Sequence, residues 1–456
     1  MQTTLRNFRY GVRGLTQRPG FTLMAVLVLA LGIGANTAMF SLVNAFLFKP
    51  LAIHDPERIV GLYSKDTKQP DTYRAFSYAE YVEIRDANTA FTDLLAHNVA
   101  MVGIREGETT RRSFADVVSS NYFATYGVAL WRGRPFTADE ERPRSAIPVA
   151  ILNYTYWQKQ GADPDPLGKT IQINGKTFTI VGVAARGFTG STALMSADVY
   201  LPLGMYEAIN NDFEGARKSL DARDNRSLIV IGRLRDGLDL SAADAQLIAT
   251  SARMEKPLAE DRDQALVVRP LSRLSISTSP SDDGDLRVPS LLLLFLAGIV
   301  LLIASLNVAN MLLARSSTRK KEMGIRLALG AGRSSLLAQG FTEGLILALL
   351  GGVAGLGLAY AGTTLLVRSL GAIAPIQIVF EAAPDIRVLA ATFGFCLVST
   401  ILFSLGPSWN LSRPSLTSAI KSDDQTGTEG GKGNRLFSRR NLLVIGQLSL
   451  SLTLLA

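Results

Sequence analysis

Residues able to do chemistry are sparse in this chain of 456 residues, and their spacing argues against most reactions. Gly168-Lys169-Thr170 ends like a phosphate-binding loop. That motif needs its first glycine five positions before the second, where Asp163 stands, and Gly161 comes too early. The residues that follow read as a hairpin, so no helix N-terminus is available to hold phosphate. The segment is expected to be a turn before a strand, leaving the chain without an ATP site of its own. No G-x-S-x-G elbow occurs, and two histidines, His54 and His97, offer little material for a triad. With no cysteine nearby they form no zinc spacing and read as surface or internally satisfied polar residues. Cys396 is the one cysteine, so no internal disulfide forms. Carboxylates are numerous but scattered. No catalytic residue, bound metal or bound cofactor is assigned, and an enzyme is the least supported class.

The elements that carry these residues are set by hydrophobic patterning. Mean hydropathy is positive, and the apolar residues fall in blocks. Phe21–Phe48, Val288–Ala314, Gly344–Val367 and Val388–Leu411 contain no charged residue. Each has the roughly 20 residues a helix needs to cross about 30 Å of hydrocarbon. A buried helix of a soluble protein would show a polar face, which these lack. A further apolar block opens at Asn441 and stops with the chain at Ala456, which reads as a helix cut off part-way. The first block is longer than the roughly 7–15 apolar residues of a signal peptide and is expected to stay as an anchor. The fold class is an α-helical transmembrane bundle, with four spans and an incomplete fifth, carrying a large mixed α/β extracytoplasmic domain between helices 1 and 2.

Charge orients the spans. Residues 1–20, 315–333 and 410–440 together hold 16 of the 47 basic residues and four of the 39 acidic ones, leaving 31 basic against 35 acidic elsewhere. The basic excess sits beside the apolar blocks, which argues for topology and against nucleic acid as a partner. Cytoplasmic placement of all three clusters gives one consistent arrangement. Residues 1–20 are a cytoplasmic basic segment and 21–48 span 1. Residues 49–287 form the external domain. Residues 288–411 form a permease domain, with spans at 289–314, 344–366 and 388–410 and a cytoplasmic helix at 315–332. Residues 412–440 are a cytoplasmic linker, and 441–456 begin another span.

In the external domain, Phe76–Asp86 reads as a short amphipathic helix. Ile171–Val181 reads as a hairpin whose Asn174-Gly175 supplies the positive φ angles of a type I′ turn. Ser227–Leu234 reads as a strand, and Ser241 as the N-cap of a helix running to about Met254. Prolines 143, 148, 164 and 166 suggest two subdomains, and Ser275–Pro289 a linker into helix 2. In the spans, small residues at four-residue spacing (Ala30, Gly34 and Ala38; Gly351 and Gly355) suit close helix packing. Glu343 precedes the uncharged run of span 3 and is expected at the interface, not in an ion pathway. Asn307 and Asn310 are expected to bond between helices.

Between spans 2 and 3, Lys320–Ala331 reads KKEMGIRLALGA. Met323 with Leu327 and Ile325 with Leu329 make an apolar stripe, while Glu322 and Arg326 are an i,i+4 ion pair in the favourable order. Gly324 lies within the stripe, and Gly330 and Gly332 supply stops. The helix is too short to be stable alone and needs a surface. A partner protein and the lipid headgroups both remain open on these residues.

At this point the sequence resembles FtsX-like, MacB-type ABC permeases. KKEMGIRLALGA looks like their cytoplasmic coupling segment, and span, large external domain, then three spans is their layout. RPGFTLMAVLVLALGIGANTAMFSLVNAFLFKPL (18–51), VVSSNYFATYGVALWRGRPFT (117–137) and DPLGKTIQINGKTFTIVGVAARGF (165–188) resemble the duplicated, MacB-related branch. The resemblance implies a multi-pass bacterial inner-membrane protein with a cytoplasmic N-terminus and a periplasmic domain. It implies a separate ATPase subunit, carrying ATP and Mg²⁺, docked on Glu322, Met323, Gly324, Ile325, Arg326, Leu327, Leu329 and Gly330. It also implies dimerisation or pairing with a second permease half, and a periplasmic adaptor or envelope protein as partner. Motion driven by ATP would be relayed to the external domain (mechanotransmission) for efflux, lipoprotein release, peptide resistance or control of cell-wall enzymes. The final NRLFSRRNLLVIGQLSLSLTLLA looks like the start of a second copy. The competing reading is a membrane-anchored periplasmic binding or signalling module that regulates an envelope enzyme without transport.

Overall fold

A computed structural model describes residues 2–48, 51–69, 71–192, 196–209, 218–254, 261, 263–272, 277–281, 284, 287–328, 333–373 and 385–411. Within its helices, residues 2–8, 46–47, 313, 315–328, 333–337, 367–368, 370–373 and 404–411 are described by backbone path alone. In chain order the elements begin with α1 (Gln2–Thr16), α2 (Pro19–Val43), β1 (Ile59–Asp66), β2 (Tyr73–Arg74) and α3 (Tyr78–Ala87). They continue with β3 (Phe91–Glu106), β4 (Thr109–Val118), α4 (Tyr122–Thr125), β5 (Arg132–Gly133), α5 (Ala138–Glu141), β6 (Val149–Leu152) and α6 (Tyr154–Lys159). Next come β7 (Thr170–Ile173), β8 (Lys176–Val183), β9 (Val199–Pro202), β10 (Ile229–Leu234), α7 (Leu240–Arg253) and β11 (Gln264–Pro270). Three long helices follow: α8 (Arg287–Ala328), α9 (Arg333–Ile373) and α10 (Ile386–Leu411). They divide between a helical unit, drawn from Met1–Asn44, Arg287–Leu366 and the last helix, and a sheet-based unit drawn from Ala45–Leu286.

Local chemistry sets the helix starts in the sheet-based unit. Ser77 and Glu80 form a reciprocal capping box on α3. The start of α7 is fixed by Asp239, whose carboxylate accepts from the Ala242 amide at 2.8 Å. The cap is therefore Asp239 and not the expected Ser241, whose hydroxyl bonds to Asp239 instead. The Asn174-Gly175 turn is as expected: both residues have positive φ, 49° and 76°, and Ile173 faces Lys176 across it. Gly168, at φ 78°, turns the chain into β7, the turn before a strand that the sequence led one to expect.

Four strands and two helices form a ferredoxin-like βαββαβ frame. Strands run β11-β1-β10-β3, all antiparallel, with α3 joining β1 to β3 and α7 joining β10 to β11. The stretch 107–228 is inserted between β3 and β10, the second and third strands of the frame in chain order. From β3 the sheet continues through β4, β9, β6 and β8 to β5, with parallel pairing at β4–β9 and β6–β8. β7 pairs with β8 and also meets β3 at Ile104–Ile173, closing a ring of six strands. The alternation of each strand feeds two cores. Val60, Leu62, Leu94 and Val230 pack with Tyr81, Ile84, Ala243 and Leu247 of the helices. Ile59, Leu95 and Ile231 face Tyr122, Phe123, Tyr126, Phe188 and Tyr200 on the other side.

The helical unit has four helices long and apolar enough to cross a membrane: Pro19–Val43, Arg287–Leu312, Ala338–Leu366 and Ile386–Phe403. They overlap the four uncharged blocks of the sequence. Pro19 opens α2, where a missing amide hydrogen costs nothing. Two features differ from expectation. Residues 2–16, read only as a basic segment, form helix α1. The helix expected as a separate piece over 315–332 is continuous with the span: α8 runs unbroken over 42 residues, about 63 Å, to Ala328. Residues 315–328 are mostly good helix formers, and Gly324 alone costs only about 1 kcal/mol, so nothing there stops propagation. The linker 412–440 and the fifth apolar block lie outside the described residues.

The small-residue spacing marks a close crossing. A Cβ built on Gly34 would stand 2.9 Å from the Gly355 carbonyl oxygen, and one on Gly355 would stand 2.9 Å from the Ala30 oxygen and the Gly34 nitrogen. Backbone thus meets backbone between α2 and α9. A side chain at either position would force the helices apart, at about 1–3 kcal/mol. Gly357, two residues on, has nothing within 4 Å. Gly355→Ala is therefore expected to lower the thermal unfolding midpoint of the detergent-purified protein. Gly357→Ala, which only removes a helix-weakening glycine, is expected to leave it unchanged or raise it.

Candidate functional site

Of the eight residues assigned to the coupling segment, Glu322, Met323, Gly324, Ile325, Arg326 and Leu327 lie on the backbone of the last turns of α8. Their side chains lie outside the described residues, as do Leu329 and Gly330 entirely. The Glu322–Arg326 pair is therefore a matter of sequence spacing.

Within the helical unit, polar side chains pin the helices at defined heights. Asn36 of α2 donates to the Ala297 carbonyl of α8 at 2.7 Å and to Gly32 in its own helix at 2.9 Å. Thr37 pairs with Thr392 of α10 at 3.1 Å. Asn44, at the start of a π-helical turn over Asn44–Phe48, donates to Asp385 at 2.8 Å. The other Asp385 oxygen accepts from the Val388 amide and caps α10. Such interhelical bonds contribute about 0.6 kcal/mol each in a bilayer and define register more than strength. Sequence reasoning chose Asn307 and Asn310, which are half-buried on α8, and missed Asn36. Asn36 sits four residues after Gly32, and that spacing was the available signal. Glu343 is buried at the start of span 3, with its Cα 3.8 Å from where a Gly11 Cβ would lie.

In the sheet-based unit, His97 is 3% exposed. Its Nδ1 lies 2.8 Å from Asp116, which also accepts from the Tyr122 hydroxyl at 2.8 Å. This ties β3 to β4 and α4 beneath the aromatic cluster. Burial, with the Asp116 charge adding, holds the Tyr122 phenol well above its ordinary range, so it donates and does not ionise. No serine or cysteine hydroxyl or thiol bonds to the imidazole, so the pair has no nucleophile to activate. His54 is surface-exposed beside Asp55. Among the described residues no group of three or more His, Cys, Asp or Glu side chains could hold a metal.

A second polar cluster closes the rim of the ferredoxin-like frame. Arg74 pairs with Glu80 at 2.7 Å and with Asp261 at 2.9 Å, and Arg226 pairs with Asp261 at 2.7 Å. Ser64, Gln264 and Ser251 complete a small recess. Burial pushes the Asp261 carboxyl up, but donation from Arg226 and the Arg74 charge outweigh it and hold the group below its ordinary range. On one side of the frame stands a clamp, on the other a sealed aromatic core.

The family models match on these two units. A MacB-like periplasmic core domain matches residues 22–250, half of the chain, and an FtsX-like permease C-terminal matches residues 294–416. The chain belongs to the MacB/FtsX-type ABC-transporter permeases. The macrolide export ATP-binding/permease protein MacB of Burkholderia cenocepacia is 25% identical over 414 residues, covering 87% of this chain and 53% of that protein. MacB of Burkholderia pseudomallei is 27% identical over 309 residues, covering 67% of this chain and 42% of that protein. The permease thus spans about half the length of the curated relatives it matches. The periplasmic region of MacB from Actinobacillus actinomycetemcomitans is 13% identical with a TM-score of 0.35, covering 47% of this chain and 89% of that one.

The Asp261 clamp yields a stability test of the permease. A depressed carboxyl stabilises the fold above its unfolded pKa of about 3.9 and ceases to do so as pH falls through the folded value. Asp261→Asn removes the carboxylate shared by Arg74 and Arg226 and is expected to cost about 3 kcal/mol at pH 7. The gap between wild type and variant in chemical unfolding is expected to narrow as the pH is lowered below about 4.

Proposed function

We propose that this chain is the permease subunit of an ABC transporter whose ATP is hydrolysed on a separate cytoplasmic subunit. Its four apolar helices lie in the bacterial inner membrane, and its sheet-based domain lies in the periplasm. ATP-driven closure of the ATPase is relayed through the helices to that domain, powering export or an envelope process. The permease acts as a dimer or with a second permease half, and a periplasmic adaptor or envelope protein receives the motion. ATP and Mg²⁺ belong to the ATPase, which docks on the end of α8 around Glu322–Gly330.

The observation that carries this reading is the order of the two family matches, the core-domain model running from the first span into the sheet-based unit over residues 22–250 and the permease model following over residues 294–416. The physical arrangement supports a relay. The charged residues of the spans, Arg287, Glu343 and Arg387, stand near the helix ends, outside the uncharged runs. α2 and α9 meet backbone to backbone, with no room for a side chain between them at Gly34 and Gly355. The continuous α8 carries the docking residues on the same helix as a span. The strands that enter and leave the external domain are neighbours, with Val60 of β1 opposite Pro270 of β11. Relative movement of α2 and α8 would therefore act on one ladder.

Reversing a docking charge tests the proposal. Arg326→Glu and Glu322→Arg are each expected to leave membrane insertion unchanged while weakening association with the ATPase by about 2 kcal/mol or more. Permease-dependent ATP hydrolysis in proteoliposomes is then expected to fall towards the ATPase-alone rate. Undiminished hydrolysis and binding in both variants would contradict docking at this segment.

A further inference from the structure

Helix α1 presents two unlike faces. Arg9 and Arg13 stand four residues apart on one side, and Gly11 and Leu15 on the other. Leu15 is 4% exposed and belongs to the apolar core it shares with α2, α8 and α9. A Cβ on Gly11 would stand 3.0 Å from Ile346 Cδ1, so α1 lies flush against the start of α9. Arg9, Arg13 and, just beyond the helix, Arg18 are exposed, and among the described residues no ion pair or hydrogen bond holds their side chains. Tyr10 and Val12 flank the arginines at 50% and 37% exposure. Residues 1–20 contain no acid to neutralise them.

Position decides what this face meets. Only Gln17 and Arg18 separate α1 from α2, whose uncharged run begins at Phe21. The packing of Leu15 and Gly11 fixes α1 at that end of the bundle. A helix held where a span leaves the hydrocarbon lies at headgroup depth, where aromatic residues and basic residues are favoured. Planar guanidinium groups match phosphate oxygens in pairs.

We propose that α1 is a binding surface for anionic phospholipid headgroups. Arg9, Arg13 and Arg18 engage the phosphates, and Tyr10 and Val12 seat the helix at the boundary between headgroups and acyl chains. The proposal rests on the spans lying in a bilayer and not on the ATP-driven relay. Because Gly11 abuts α9, lipid charge would bear directly on the helix that crosses α2 at Gly34 and Gly355. A basic residue near an anionic surface gains roughly fivefold in affinity, so three together bind with an advantage on the order of 100-fold before screening by salt.

The test uses the full chain in bilayers of phosphatidylcholine with spin-labelled phosphatidylglycerol or spin-labelled phosphatidylcholine as probe. The wild type is expected to hold motionally restricted phosphatidylglycerol several-fold more strongly than phosphatidylcholine. The triple variant Arg9→Gln/Arg13→Gln/Arg18→Gln is expected to lose most of that preference, by about threefold or more, and high salt to reduce the wild type likewise. The corresponding triple Arg→Lys variant should keep most of it, which separates lost charge from lost folding. Equal affinity for both lipids in the wild type, or an unchanged preference in the triple glutamine variant, would overturn the proposal. So would a glutamine variant that keeps its lipid preference but no longer co-purifies with its ATPase, since the arginines would then serve a protein surface.

Discussion

A peptide group in hydrocarbon has no water to bond, so every amide and carbonyl at membrane depth must be satisfied within its own helix. That requirement turns four apolar stretches into helices before any tertiary contact forms. It also removes the usual hydrophobic drive for bringing them together, because lipid is as apolar as leucine. What remains is shape and a few polar bonds. Gly34 and Gly355 let two backbones touch, and Asn36, Thr37 and Asn44 tie the same helix to α8 and α10. α2 is therefore the hub of the helical unit. Its last turn gives way to a π-helical segment, Asn44–Phe48, just where the chain leaves for the external domain.

The external domain answers a different constraint. Its chain must leave one span and return to another, and a ferredoxin-like frame does this economically, because its first and last strands are neighbours. The insertion between β3 and β10 closes a ring of six strands with β3 without disturbing that pairing. Charge clusters sit where the frame would otherwise open: Arg74, Arg226, Glu80 and Asp261 hold β2 and α3 to the segment before β11. The aromatic core around Tyr122 seals the other face.

Local signals were the readable part of this sequence. Uncharged blocks longer than 20 residues located the four long helices, Asn174-Gly175 gave the hairpin, and Phe76–Asp86 gave α3 within two residues of its observed bounds. The family followed from four stretches in the right order. What escaped were features settled by distant partners. The insertion into a βαββαβ frame rests on pairing between Ile59–Leu62 and residues 170 positions away. Asn36 looked like an ordinary polar residue until its partner at Ala297 was in place. Asp239 displaced Ser241 as the cap because a carboxylate stood two residues earlier with the better geometry. α1 was hidden because glycines and arginines dilute its pattern, and its apolar face becomes evident only against α9.

The central claim is that lipid solvates α2, α8, α9 and α10 and that the sheet-based domain and the basic segment after Ala314 lie on opposite sides of it. The only native thiol, Cys396, is buried in a span, so cysteines placed at Lys169 and Lys320 can be read singly. A membrane-impermeant maleimide added outside intact spheroplasts is predicted to label Lys169→Cys and to reach Lys320→Cys only after lysis. Labelling of both from the same side would contradict the arrangement on which the account depends.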